Sequence, residues 1–271
     1  MSAPRNCIFC GRRGRISKEH FWPQWLGRKI ARPDQPSTVS EIHVGEGKSR
    51  PRLHARAVRQ GDVTTRKLRV VCRFCNNGWM NTLEGQVKPL VLARLEGLDS
   101  PLTTEQTFAL ARWISMKAML SEHEQRDVVL TPPEDRAALF QRSEIPGYYR
   151  IFVAAHSSKT HAAFLRHSTT VSRTKEGPDP KLPPGIRRNI QAITWLAGPL
   201  CFFVLAARVM DLDLDKIFRI SVVTRIWPAP ESAVNLATLA VIDNAGLYNL
   251  SRAIETLIDQ PNVVYGGPLP S

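Results

Sequence analysis

The chain has 271 residues, 43% of them hydrophobic and 23% charged, which excludes a disordered or low-complexity protein and leaves room for one large domain or two ordinary ones. Its net charge is +13, and the excess is local: residues 1–100 carry 19 Lys+Arg against 8 Asp+Glu (+11), residues 101–271 carry 18 against 16 (+2). A basic segment beside a near-neutral one points to a polyanion-binding surface, with a solvated basic face as the plainer alternative.

Met1 to Asn6 is short and polar and does not read as a secretory leader, so a cytoplasmic location is expected. Without export, five cysteines do not suggest a disulfide framework, and paired Cys-x-x-Cys motifs read as a metal site. Cys7-Ile-Phe-Cys10-Gly11 is one such pair, and Cys72-Arg-Phe-Cys75 is the second, with 61 residues between Cys10 and Cys72. Zinc favours four tetrahedral ligands and takes thiolates readily, so Cys7, Cys10, Cys72 and Cys75 are expected to hold one structural Zn²⁺. Cys201 lies in an apolar run and reads as an inert core thiol.

Between the pairs, Gly11-Arg12-Arg13-Gly14-Arg15 forms a basic turn, and Ile16-Ser17-Lys18-Glu19-His20-Phe21-Trp22-Pro23 sets a carboxylate beside an imidazole. Arg12, Arg13, Arg15 and Lys18 are candidates for phosphate contact. Trp22, Trp25 and Trp79 read as core rather than as base-stacking platforms. After the second pair, Asn76 and Asn77 can start a helix whose apolar face is Trp79, Met80 and Leu83. Gly97 to Pro101 reads as a connector.

The second part starts with a helix over 103–125: Thr103 and Gln106 have capping-box spacing, and Phe108, Ala111, Ile114, Ala118 and Met119 recur at helical intervals. Thr131-Pro132-Pro133-Glu134 opens another helix, ending near Arg142. Tyr148 to Ala155 reads as a strand, and Gly177 to Gly185, with four prolines, as a loop. Ile190 to Ala207 approaches the roughly 20 residues of a membrane span, but Gly198-Pro199 splits it into a buried hairpin, Ile190–Ala197 and Leu200–Val209. A strand over Ile217–Trp227 and a short helix over Leu247–Ile258 complete the pattern.

The order CxxC, Glu-His-x-x-Pro, CxxC-Asn resembles the zinc-containing HNH endonucleases over about residues 7–84. That resemblance implies a ββα-metal fold in which paired CxxC motifs brace a ribbon-and-helix grip on one catalytic cation. It covers only the first part, an HNH-like zinc module over 1–98; the helix and strand pattern of 99–271 reads by itself as a mixed α+β domain with no catalytic constellation, giving an α+β architecture overall. By position, His20 would be the general base that activates water, and Glu19 and Asn76 would hold one Mg²⁺ or Mn²⁺. Glu19 could instead pair with an arginine, Asn76 could serve as a helix cap, and His20 could be a packed histidine beside Trp22 and Trp25. The chain departs from the family in having no Asn between His20 and Cys72, Glu where many members have Asp, and Trp79 where many have Lys. Asn77, Asn81, His43 and His54 are alternative ligands. The function implied is hydrolysis of DNA phosphodiesters, with RNA as an alternative substrate. The rival is a zinc-stabilised nucleic-acid-binding protein without turnover, and a third reading gives the C-terminal domain the main role in partner binding.

Overall fold

The computed structural model describes residues 6–30, 37–44, 52–60, 65–98, 100–124, 129–157, 162–173, 188–208, 214, 222–230, 232–259 and 263–265, the side chains of 37–44, 52–60, 172–173, 258 and 263–265 excepted. The fold is α+β, with an antiparallel sheet and packed helices.

The basic first part is built on short elements. Strand β1 (Glu19–His20) pairs antiparallel with β4 (Lys67–Leu68), Glu19 opposite Leu68 and His20 opposite Lys67. Between them come a single helical turn, α1 (Gln24–Gly27), and a longer antiparallel ribbon, β2 (Ser37–Val44) with β3 (Arg52–Gln60). The chain then turns helical at α2 (Arg73–Cys75), passes through a π-type turn at Asn76–Met80 and continues as α3 (Asn81–Glu96). Helicity therefore begins three residues before Asn76. Cys72 is the extended N-cap residue (φ −77°, ψ 160°), and Asn76 already sits inside the helical run, where it cannot be the cap. Gly78, at φ −91° and ψ −115°, interrupts the run, and such bulges recur beside functional sites. Gly97 ends α3 in the left-handed conformation (φ 72°) that favours glycine.

Helix α4 (Thr104–Glu122) starts with both bonds of the expected capping box: Gln106 N–H donates to Thr103 Oγ1 and Thr103 N–H to Gln106 Oε1. From Trp113 to Glu122 every side chain is buried, so the C-terminal half of α4 is enclosed on all sides. Helix α5 (Pro133–Gln141) follows, with Pro133 at its first position as expected.

The main sheet runs in the order β10 (Thr224–Trp227), β5 (Tyr149–His156), β9 (Leu200–Ala207), β8 (Ile190–Ala197), β6 (Ala162–Thr169), all antiparallel, and β11 (Val241–Ile242) joins β5 in parallel. The expected hairpin is present as β8 and β9, turning at Gly198 (φ 60°). Both of its faces are buried, which is why it reads as one continuous apolar run. Ile193, Trp195, Phe202 and Val204 lie on the face that packs against α4; Ala192, Leu196, Phe203 and Leu205 face α6 (Asn244–Ser251) and the 3₁₀ turns at Ala253–Asp259. The strand expected over 217–227 is observed at Thr224–Trp227, residues 215–221 lying outside the described residues, as does the expected loop at 177–185. The final short strands, β7 (Val171–Arg173) and β12 (Val263–Tyr265), pair with each other.

One apolar core runs from the N-terminal cysteines through α3 and α4 to the first face of the sheet. Phe21, next to β1, meets Phe164 of β6 at 4.7 Å and Trp195 of β8 at 5.9 Å between ring centroids. No helix among the described residues is long and apolar enough to cross a membrane.

Candidate metal centre and adjoining pocket

The four cysteines of the two CxxC pairs come together: one sulfur from each lies within 4.8 Å of all the others, and Cys10 Sγ is 3.6 Å from Cys72 Sγ. A tetrahedral zinc with bonds of about 2.3 Å would need sulfurs about 3.8 Å apart, so the donor set fits the ion in number, chemistry and spacing. Local backbone geometry produces this cluster. Gly11, at φ 68°, lets the first knuckle close with Gly11 N–H on Cys7 O, and Asn76 N–H on Cys72 O closes the second. Ile8 N–H donates to Val70 O and Ser17 N–H to Val71 O, which places the knuckles side by side. Cys7, Cys72 and Cys75 are buried. The Cys75 thiol, by hydrogen bonding, holds Cys7 down to about 4, while the same contact pushes Cys75 up; burial raises Cys10. A divalent cation removes that inequality by accepting all four sulfurs as thiolates. Cys201 is apart from the cluster, buried in β9, with its thiol pushed up to about 12 by desolvation.

Beside the cluster is a cavity of about 350 Å³ lined by Lys18, Glu19, His20, Pro23, Gln24, Trp25, Arg28, Asn76, Met80, Asn81 and Glu84. Lys18, Glu19, His20 and Asn76, all proposed from the sequence as functional, therefore converge there. Glu19 and His20 arrive on β1, and Asn76 arrives because the second knuckle feeds directly into the helical run. Arg12, Arg13 and Arg15 do not line it; they sit exposed on the basic turn, Arg12 lying over the Phe74 ring at 5.6 Å. Asn77 is also outside the lining, whereas Asn81 belongs to it. His43 and His54 fall on β2 and β3. Trp22 is core, Trp79 packs edge-on to Phe9 at 5.1 Å, and Trp25 donates to Glu84 Oε1 at 3.0 Å.

The hydrogen bonds fix how two of these groups present themselves. Ser17 Oγ donates to Val71 O at 3.0 Å, so its lone pair is what receives the Asn76 amide N–H at 3.1 Å. That consumes the nitrogen end of Asn76 and leaves Oδ1 as its ligating atom. His20 is held by the Gln24 amide, 3.0 Å from Nε2. Its pKa is lowered from the ordinary 6.5, first by desolvation, then by the charge of Lys67, with Lys117 adding to it.

Sequence reading missed three members of this site. Ser17 orients Asn76. Glu84, three residues after Asn81 on α3, adds a second carboxylate. Lys117 comes from α4: its ammonium contacts Glu19 Oε1 at 3.1 Å, His20 O at 3.2 Å and Glu84 Oε2 at 3.7 Å, while the residue is 3% exposed. The signal for Lys117 was its place among Trp113, Met116 and Leu120, a lysine inside an apolar helical stripe. A buried ammonium requires anionic partners, and their identity is invisible in one dimension.

No family model, curated protein or solved structure matches this chain.

Proposed function

We propose that this protein is a metal-dependent endonuclease of the HNH type that hydrolyses DNA phosphodiester bonds. The observation that carries the reading is the convergence of Glu19, His20 and Asn76 on one cavity beside a four-cysteine cluster. A short antiparallel pair, β1–β4, followed by a helical run is the arrangement a ββα-metal site needs. The four cysteines would hold zinc as a structural brace.

Glu19 and the Oδ1 of Asn76 would hold one Mg²⁺ or Mn²⁺, hard cations that suit oxygen donors. Such an ion, when bound, stabilises charge on the phosphoryl oxygens and the leaving oxygen. His20 supplies the base. Desolvation and the nearby lysines keep its imidazole neutral near pH 7, and a neutral ring is the form that accepts a proton from water. Because the Gln24 amide is directed at Nε2, Nε2 carries the lone pair, and it is the atom that takes the proton once water replaces that amide. Lys18 and Arg28, exposed at the cavity rim, and Arg12, Arg13 and Arg15 on the basic turn would meet backbone phosphates.

The test is cleavage of plasmid DNA by purified protein in Mg²⁺ or Mn²⁺, with His20→Ala alongside. Loss of cleavage in His20→Ala with DNA binding intact supports the reading; no cleavage by the unaltered chain in any divalent ion sinks it. One observation favours the rival, a zinc-braced DNA-binding protein without turnover: Glu19 Oε1 is already engaged by Lys117.

A further inference from the structure

The pocket is lined by two carboxylates, and one buried ammonium contacts both. Lys117 Nζ lies 3.1 Å from Glu19 Oε1 and 3.7 Å from Glu84 Oε2. It reaches them from α4, 98 residues beyond Glu19 in sequence. Ser17, Asn76, Asn81, Gln24 and neutral His20 add dipoles but no charge. Lys18 and Arg28 are exposed at the rim, where solvent screens them. Lys67, opposite His20 on β4, is likewise exposed. At formal charge the buried part of the site is therefore −1: Glu19 and Glu84 against Lys117.

A divalent ion in such a site leaves a net +1 in a partly desolvated place, and hard cations of this size commonly complete their charge balance with substrate phosphate. One phosphodiester carries the missing −1. We propose that Lys117 sets the charge of this pocket so that a divalent cation binds tightly only together with a nucleic-acid phosphate. The inference rests on the nuclease reading for the identity of the ligand, and it makes Lys117 a positioning and charge-setting residue, not a catalytic one. By linkage, the factor by which DNA tightens metal binding equals the factor by which metal tightens DNA binding. The ion would then be loaded where and when a phosphate is seated, and the cavity without DNA would stay largely metal-free at low divalent concentration.

The charge of the pocket can be stepped by substitution. Glu84→Gln gives 0, and Gln keeps an oxygen for the Trp25 N–H, which now meets Glu84 Oε1. Lys117→Met gives −2. The double variant Glu84→Gln/Lys117→Met returns to −1. Each would be made in a His20→Ala background, so that DNA survives, and kept zinc-loaded. Binding of Mn²⁺ would be read by the electron paramagnetic resonance of the free ion, with and without a short DNA duplex.

The expected result is a ladder. Without DNA, Lys117→Met binds Mn²⁺ at least tenfold more tightly than its parent, Glu84→Gln at least tenfold more weakly, and the double variant within about threefold of the parent. Addition of DNA tightens Mn²⁺ binding of the parent at least tenfold and that of Lys117→Met much less. A lysine that served only to hold the fold would give the opposite order, with Lys117→Met weaker than its parent and the double variant no better. If Lys117→Met fails to fold, the double variant and Glu84→Gln still decide, because Glu84→Gln binding as tightly as its parent overturns the proposal. Parent affinity that ignores DNA also overturns it, as does the absence of Mn²⁺ binding in every variant. A ladder obeyed while the chain with His20 intact never cleaves DNA in any divalent ion would sink the nuclease reading and leave the role of Lys117 standing.

Discussion

Withdrawal of zinc is expected to unfold the segment from Cys7 to Trp22 while the main sheet keeps its structure. That segment is 16 residues long, and the only strand in it is the two-residue β1. Ordering it costs about 24 kcal/mol at about 1.5 kcal/mol per residue of backbone entropy. Its buried apolar side chains are Ile8, Phe9, Phe21 and Trp22, which return about 9 kcal/mol at about 2.3 each. The backbone bonds Ile8 N–H to Val70 O, Ser17 N–H to Val71 O, Phe21 N–H to Arg66 O and Arg73 N–H to Arg15 O add about 4 kcal/mol in total at about 1 each. The bonds Cys7 N–H to Arg12 O, Gly11 N–H to Cys7 O, Ser17 Oγ to Val71 O, Asn76 Nδ2 to Ser17 Oγ and Arg136 Nε to Ile8 O add about 5 kcal/mol more on the same basis. The shortfall that remains, about 6 kcal/mol, is one that the roughly 10–16 kcal/mol a structural zinc supplies covers. Metal analysis of protein purified without chelator should find about one zinc per chain. After chelation, hydrogen exchange followed by mass spectrometry should show peptides covering 7–22 and 70–76 losing protection, while those covering β8 and β9 retain it. Zinc-free protein that keeps protection across 7–22 would refute the reasoning, because the remaining contacts would then suffice without the metal.

Two further outcomes follow from the pocket. A general base works when neutral, so the cleavage rate should fall as pH drops through the His20 pKa; because that pKa is lowered from 6.5, the half-maximal rate in single-turnover assays at saturating metal should lie below pH 6.5, and a midpoint above 6.5 would remove His20 from the role. Ser17→Ala deprives the Asn76 amide of its acceptor, so cleavage should slow about tenfold, equivalent to about 1.4 kcal/mol, while zinc content is unchanged; an unaltered turnover number would show that Asn76 needs no such anchor.

The cysteine pairs were legible because zinc imposes its own geometry: two short spacings declare four ligands whatever lies between. The β8–β9 hairpin was legible because Gly198-Pro199 interrupts an apolar run that no loop could contain. The ribbon of β2 and β3 carried no comparable signal. Its strands mix Ser, Thr, Glu, His and Arg with single aliphatics, which blurs the alternation a half-buried strand displays. Asn76 was read as a helix start because asparagine favours that position, yet the second knuckle begins the helix earlier, at Cys72. Metal-ligand spacing overrode capping preference there. Within the pocket, Lys18, Glu19, His20, Asn76 and Asn81 are legible as candidates, while the anchoring by Ser17 and the charges of Glu84 and Lys117, which arrive from α3 and α4, are not.

That division has a physical cause, and it bears on what the second half of the chain is for. Arg136 of α5 donates from Nε to Ile8 O at 3.0 Å and from a second nitrogen to Thr131 O, clamping the first zinc knuckle to the following helices. Phe21 is packed between Phe164 and Trp195 of the sheet, so the strand that carries Glu19 and His20 is seated on the C-terminal part. Lys117, in the fully buried C-terminal half of α4, supplies the countercharge to the two carboxylates. An autonomous zinc module would have to neutralise Glu19 and Glu84 with its own residues, and the basic side chains it offers at this cavity, Lys18 and Arg28, are solvent-exposed. The C-terminal part therefore completes the pocket with an internal charge the first hundred residues do not provide, even though no catalytic motif can be read in it.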